Sequence, residues 1–252
     1  GIRMPKGTTP ATAVHGVTAK AVEWLVLANL APREISVTLT YFFEEGEPIQ
    51  KVLTVPPRWR RTFMPGPDLI PDGKLYGVRL ASDHPFLPQP TRGETEEVKP
   101  PLFPGNSNMS FVAYPGPLGQ KETRWVYADG IVIHKDRGWA DHEWITILNP
   151  TPGREARIRI TFNYEADQRS YSLVVPAERV RTIDLHRLLP TDTGFFPIVS
   201  SDTPVVVEQV RRPVIVANPA PRGGFASLAF PIGDMELDES VVTGRGETLP
   251  IS

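Results

Sequence analysis

The sequence predicts an all-β protein made of two tandem, homologous antiparallel β-sandwich domains of about eight strands each. Three observations carry this. The stretch "ARIRITFNY", Ala156–Tyr164, alternates strictly, with Ile158, Ile160 and Phe162 on one side and Arg157, Arg159, Thr161 and Asn163 on the other. That is the period of a strand, whereas a helix needs apolar spacings of three and four. The 252 residues include 28 prolines and 20 glycines, which break long helices and supply turns between short strands. Finally, a series of sequence blocks recurs in one order at an offset near 120 residues. That is a domain-sized period, well beyond the roughly 20–50 residues of a solenoid unit.

The repeats begin with "VEWLVLANL" (Val22–Leu30) and "HEWITILNP" (His142–Pro150), which align Glu23-Trp24 with Glu143-Trp144 and Asn29 with Asn149. "REISVTLTYFF" from Arg33 matches "REARIRITFNY" from Arg154, and "LTVPPRWRRT" from Leu53 matches "LVVPAERVRT" from Leu173. "LIPDG" from Leu69, "ASDHPFL" from Ala81 and "MSFVAYPG" from Met109 are answered by "LLPTDTG", "SSDTPVV" and "ASLAFPIG". The boundary falls near Leu118–Thr123. This gives a first sandwich over 1–120, a second over 121–233 and an acidic tail or arm over 234–252. In the second repeat, strands are predicted at Arg124–Ile133, Glu143–Asn149, Ala156–Tyr164, Tyr171–Val175, Val180–Leu185, Phe196–Ser200, Val205–Val210 and Phe225–Phe230. "DLHRLLP", Asp184–Pro190, allows one helical turn at most. Pro90–Asn108 reads as a long proline-rich loop. Pro88 and Pro90 predict that the strand around them is an edge strand or a broken one.

Composition narrows the function. A net charge of −2 supplies no field to attract nucleic acid or an anionic membrane. With no cysteine, disulfides, thiolate zinc sites and cysteine nucleophiles are excluded. No apolar run is long enough to span a bilayer, and "GIRMPKGTTP" contains no signal core; a cytoplasmic protein is expected. Neither a P-loop, a GxGxxG turn nor a nucleophile elbow is present.

Six stretches of the second repeat, "WVYADGI" (Trp125–Ile131), "HEWITILNP", "ARIRITFNY", "YSLVVPAERVRTIDL" (Tyr171–Leu185), "SSDTPVVVEQVRR" (Ser200–Arg212) and "FASLAF" (Phe225–Phe230), resemble the sensory rhodopsin transducer family. They span nearly the whole repeat in the family's order, and the first repeat looks like a diverged copy. The resemblance implies a β-sandwich that assembles into compact oligomers, often tetramers, and a small polar ligand of the sugar-like kind. A homo-oligomer is therefore expected, a dimer of tandem chains standing in for a tetramer. Because this chain is duplicated, no rhodopsin partner is expected.

Candidate ligand-binding residues follow from the strand pattern. His142 and Glu143 open a strand and together can donate to and accept from a hydroxyl or amide. Alternation points them to opposite faces, so only one can enter any one site. Only the second repeat carries the histidine; the first has Val22. Gln209 and Arg211, two apart, share a face, as do Arg179 and Arg181 on a neighbouring strand. Converging guanidinium forks would suit an anionic or polyhydroxyl ligand, while the blander reading is a solvated face with cross-strand pairs. Trp125 and Asp129 could form an aromatic platform and carboxylate for a sugar, or simply a core ring and a turn. "HKDRGWADHE", His134–Glu143, gathers metal-capable side chains, but on a loop with no fixed geometry, so no metal or other cofactor is expected. The reading these features support is a non-enzymatic small-molecule binding or adaptor protein with its site in the second domain. Its rivals are a pure assembly module and a carbohydrate-active hydrolase or lyase, which would show two carboxylates flanking a cleft.

Overall fold

Nearly all regular structure in the computed structural model is strand. It describes residues 11–14, 21–66, 69–70, 75–94, 108–110, 123–128, 130–132, 139–165, 167–189, 193–215, 225–228, 230–231 and 248–250. The first repeat contributes β1 (Ala11–Val14), β2 (Ala21–Asn29), β3 (Ile35–Phe43), β4 (Ile49–Val55), β5 (Arg60–Phe63), β6 (Tyr76–Ser82), β7 (Phe86–Glu94) and β8 (Asn108–Ser110). They form sheet I, in the order β1-β6-β3-β4, and sheet II, in the order β5-β2-β7-β8. The second repeat contributes β9 (Arg124–Val126), β10 (Gly130–Val132), β11 (Trp139–Asn149), β12 (Ala156–Asn163), β13 (Gln168–Val175), β14 (Arg179–Asp184), β15 (Thr193–Ser201), β16 (Val206–Ile215), β17 (Phe225–Leu228), β18 (Phe230–Pro231) and β19 (Thr248–Pro250). Its sheet III runs β18-β9-β15-β12-β13-β19 with β10 also on β15, and its sheet IV runs β14-β11-β16-β17.

Pairing is reproduced between the repeats residue by residue. Glu23 lies opposite Arg92 as Glu143 lies opposite Arg211. Leu25 faces Phe63 as Ile145 faces Ile183, and Val37 faces Ser82 as Ile158 faces Ser201. Sheet I therefore corresponds to sheet III, and sheet II to sheet IV. The alternating residues do what their period requires. Ile35, Val37, Leu39, Tyr41 and Phe43 enter the core of the first sandwich, and Ala156, Ile158, Ile160 and Phe162 that of the second.

The asparagine that ends each repeated phrase is a clasp between sheets. Asn29 Nδ2, at the end of β2, donates to the carbonyls of Arg33 (2.7 Å), Val55 (3.1 Å) and Pro56 (2.9 Å), while its Oδ1 accepts from Ala31 N at 2.8 Å. Asn149 repeats this with Arg154 (2.8 Å), Val175 (3.2 Å), Pro176 (3.1 Å) and Thr151 N (3.1 Å). A side-chain amide can satisfy both kinds of backbone group at once. Here it ties the end of one sheet to the far strand of the other and fixes the intervening turn.

The repeats pack face to face, the outer side of sheet I against the outer side of sheet IV. Phe42, on the side of β3 away from its own core, joins the second sandwich's core, while Val210 and Trp144 join the first's. The backbone of Gly77 lies against Leu148; a methyl group added there would be 3.1 Å from Leu148 Cδ2. Polar contacts rim the seam: Glu44 Oε1 accepts from Thr182 N at 3.2 Å, Arg79 Nη1 donates to Pro150 O at 3.5 Å, and Arg179 pairs with Glu47 at 3.3 Å.

The structure refines four boundaries. The strand expected over Arg124–Ile133 is two, β9 and β10. From Val126 to Gly130 the chain takes one residue more than the facing Ile198 to Phe195, which is the count of a β-bulge. Gly130 is obligatory beside it, because a Cβ would sit 2.3 Å from the Phe195 ring. The expected loop begins later than Pro90, since β7 continues to Glu94, and residues 95–107 lie outside the described residues. β7 itself is continuous through Pro88 and Pro90. Both stand in the ladder with β2, opposite Leu27 and Leu25, while β8 pairs the other edge of β7 only at Thr91–Gly93, so among the described residues β7 is an edge strand at its prolines. Lastly, the acidic C-terminal segment returns to its own chain, Thr248–Pro250 pairing parallel with Ser170–Ser172 of β13. The expected helical turn is α1, Leu185–Leu188, capped by Asp184 Oδ1 accepting from His186 N at 3.0 Å.

Asn149→Asp should cost roughly 2–4 kcal/mol, because it turns a second oxygen toward three carbonyls, and Asn149→Ala about 1–3 kcal/mol. A lower urea midpoint at unchanged slope would register both, and equal stability of the aspartate variant with wild type would refute the clasp.

Candidate functional site

Cross-strand register builds one polar cluster inside the second sandwich. β11 and β16 are antiparallel, with Glu143 opposite Arg211 and Ile145 opposite Gln209. Alternation along β11 puts Glu143 and Ile145 on one face, so Gln209 and Arg211 share it. Glu143 is fully buried and Gln209 is 2% exposed. Glu143 Oε1 accepts from the backbone N of Ile131, in β10, at 3.1 Å and lies 3.4 Å from Arg211 Nε; its Oε2 accepts from Gln209 Nε2 at 3.2 Å. The Arg211 side chain is 15% exposed. The carboxylate is thus held by a backbone amide of β10 and by a carboxamide and a guanidinium of β16, which is what burying a charge requires. Chemically, the cluster fixes an arginine by its Nε edge, close to the protein surface.

The other sequence candidates stand elsewhere. His142 lies in β11 opposite Arg212, one residue from Glu143; its side chain, like Asp129, is outside the described residues. Trp125 is fully buried in the core formed by Ile158, Phe162 and Val199. A ring with no exposed face cannot be a sugar platform, so its place is structural. Its Nε1 has no hydrogen-bond partner among the described residues. Arg179 and Arg181 do not converge with Gln209 and Arg211. β14 runs antiparallel to β11, so Arg179 pairs with Asn149 and Arg181 with Ile147, while Arg211 pairs with Glu143. At about 3.3 Å per residue, that separates them from Arg211 by roughly 13–20 Å and from Gln209 by roughly 7–13 Å along the strand. Arg179 instead donates to Glu178 O and pairs with Glu47 of the first repeat, and Arg181 is exposed. The metal-capable run His134–Glu143 lies largely outside the described residues; among the described residues no group of three such side chains comes together.

Sequence reasoning missed the Ile131 amide, because a backbone donor leaves no mark in composition. It also missed Asp202 in the turn between β15 and β16, although "SSDTP" and "ASDHP" mark the position in both repeats. The Arg157 backbone N–H, 2.9 Å from Asp202 Oδ1, is the main cause holding that carboxyl below its usual range, with Thr203 Oγ1 adding to it.

Residues 119–221 match the family model described as Anabaena sensory rhodopsin transducer. Among solved structures, the crystal structure of Thermotoga maritima 1070 is similar at 21% identity, over 44% of this chain and 94% of that one, with a TM-score of 0.36. The Anabaena sensory rhodopsin transducer itself is similar at 28% identity, over 35% of this chain and 86% of that one, with a TM-score of 0.32. No curated protein matches the chain. The resemblance read from the second repeat is borne out over that stretch.

Arg211→Met should destabilise by about 3–5 kcal/mol, because it leaves a buried carboxylate uncompensated, and Glu143→Gln in the same chain should recover most of the loss. A urea double-mutant cycle measures the coupling, and additive losses would show that the pair is independent. Asp202 has a depressed folded-state pKa, so its contribution is complete above the ordinary carboxylate pKa and disappears as pH falls through the lower folded value. The stability difference between wild type and Asp202→Asn should therefore shrink on acidification, followed by thermal melts from pH 6 to 2.

Proposed function

We propose that this chain is a non-enzymatic binding or adaptor protein whose second sandwich takes a small polar, sugar-like ligand beside Glu143, Gln209 and Arg211. The observation that carries this is a carboxylate, a carboxamide and a guanidinium gathered on one face of two adjacent strands in an otherwise apolar interior. Such a cluster adds nothing to packing that an aliphatic set would not supply. A guanidinium held by its Nε edge is oriented in advance for hydroxyl or carboxylate oxygens.

The two repeats differ where the reading needs them to. Register puts Glu23 opposite Arg92, but the position of Gln209 is taken by Pro90, which has no polar side chain. The first repeat has residues of both charges at the register positions of Glu143 and Arg211 and lacks the amide, consistent with a scaffold. The family match falls on the repeat that has all three groups. An assembly role is the second reading. It is favoured by sheet IV, which is buried on one face by its own sandwich and on the other by sheet I.

A thermal-shift screen of the full chain against neutral sugars, nucleotides and organic acids tests the ligand reading, since a ligand that binds the native state raises its melting temperature with concentration. One class should raise it, and Gln209→Leu and Arg211→Lys should abolish that rise while still melting cooperatively. No rise from any class would overturn the reading, and a rise intact in both variants would remove these residues from it.

A further inference from the structure

We infer that the outer face of sheet III binds a phosphate group, free or esterified to a small molecule, above Ser200 and between the guanidinium groups of Arg124 and Arg159. Register lines these residues up. Ser200 of β15 lies opposite Arg124 of β9 on one side and Arg159 of β12 on the other, and Arg159 in turn lies opposite Ser172 of β13. Their chain neighbours Trp125, Val199, Ile158, Ile160, Tyr171 and Leu173 fill the core, so alternation turns all four to the outer face. Four adjacent strands thus present one row of two arginines and two serines.

Strands in a sheet lie about 4.8 Å apart, so the two arginines start about 10 Å apart with Ser200 midway, and both forks can close on an anion above its hydroxyl. Arg159 is exposed, and Arg124, Ser200 and Ser172 are half-buried. In the next row of the same face, Ile198, Thr161 and Ser170 are buried. The arginines therefore stand where the open part of the face meets a closed part, which walls a ligand on one side. Arg159 Nη2 donates to Ser170 Oγ at 3.4 Å, and Ser170 Oγ lies 3.0 Å from Thr161 Oγ1. That tether orients the guanidinium by one of its five N–H groups.

Among the described residues neither Arg124 nor Arg159 meets a carboxylate. One row further along, the charges are already engaged: Arg157 Nε lies 3.5 Å from Glu155 Oε1, and Asp202 Oδ1 accepts from the Arg157 backbone N–H and from Thr203 Oγ1. Two like charges flanking a hydroxyl repel each other, and an anion with several acceptor oxygens relieves the repulsion. The first repeat provides the contrast. By register the counterparts of Arg159, Ser200 and Ser172 are Thr38, Ala81 and Val52, which also reach solvent, Val52 at 57% exposure. An open row in this fold therefore needs no arginine. Phosphate has enough acceptors for two forks and a hydroxyl at once. Sheet III stands between this row and the Glu143 cluster, so the two sites are separate.

Isothermal titration of the full chain with inorganic phosphate and with glucose 6-phosphate tests the site, at constant ionic strength in chloride and about pH 7.5, where a phosphate monoester is mostly dianionic. One saturable site in the millimolar range is expected. Tighter binding of the sugar phosphate assigns the site to an esterified phosphate, and equal binding assigns it to the free anion. Arg124→Gln and Arg159→Gln should each weaken binding at least about tenfold, and Ser200→Ala about threefold. Arg169→Gln removes the same charge outside the row, where Arg169 pairs with Asp167, and should leave binding unchanged. Gln209→Leu and Arg211→Lys should bind phosphate like wild type. No saturable binding of either compound, equal weakening by Arg169→Gln, loss of phosphate binding in a folded Gln209→Leu chain, or full binding by a folded chain lacking both Arg124 and Arg159 would each overturn the inference.

Discussion

Burial of β11 on both faces is the constraint from which the rest of the molecule follows. One face enters the second sandwich's core through Ile145 and Ile147, and the other meets the first repeat through Trp144 and Leu148. A stretch buried on both faces, as β11 is from Ile145 to Asn149, must pair the polar groups it carries. Glu143 takes Ile131 N, Gln209 and Arg211; Thr146 shares a 3.0 Å hydroxyl contact with Thr182; Asn149 clasps the far sheet. These three residues explain why the strand reads partly polar although it is central.

The same burial sets the division of labour between repeats. In the first, β2 keeps the asparagine clasp, but Trp24, Val26 and Ala28 are only half-buried. One sequence pattern thus serves two environments, and the differences between copies lie on the faces that meet different neighbours. Gly77 against Phe196, and Leu148 against Ala28, are such differences.

The alternation of Ala156–Tyr164, the duplicated blocks, the single turn at Leu185–Leu188 and the family likeness of the second repeat were legible because each depends on local period or on comparison of two stretches of one chain. So was the shared face of Gln209 and Arg211, which needs only a period of two. The convergence of Arg179 and Arg181 with them was not legible, since it depends on which strand ends meet. That is set by the antiparallel direction of β14 and by register, and neither is encoded within a strand. The burial of Trp125 was likewise undecidable, because a tryptophan beside an Asp-Gly turn suits a rim or a core equally well.

By itself, then, the sequence determined the fold class, the duplication and the face on which each strand residue lies, because backbone periodicity is a local property. Tertiary structure decided that sheets I and IV meet and that "HEWITILNP" supplies a clasp and a buried charge cluster rather than a single site. Those outcomes depend on partners outside the strand itself: Asn149 meets Val175, and Glu143 meets Gln209 and Arg211 and Leu148 meets Gly77 only once the sheets have packed.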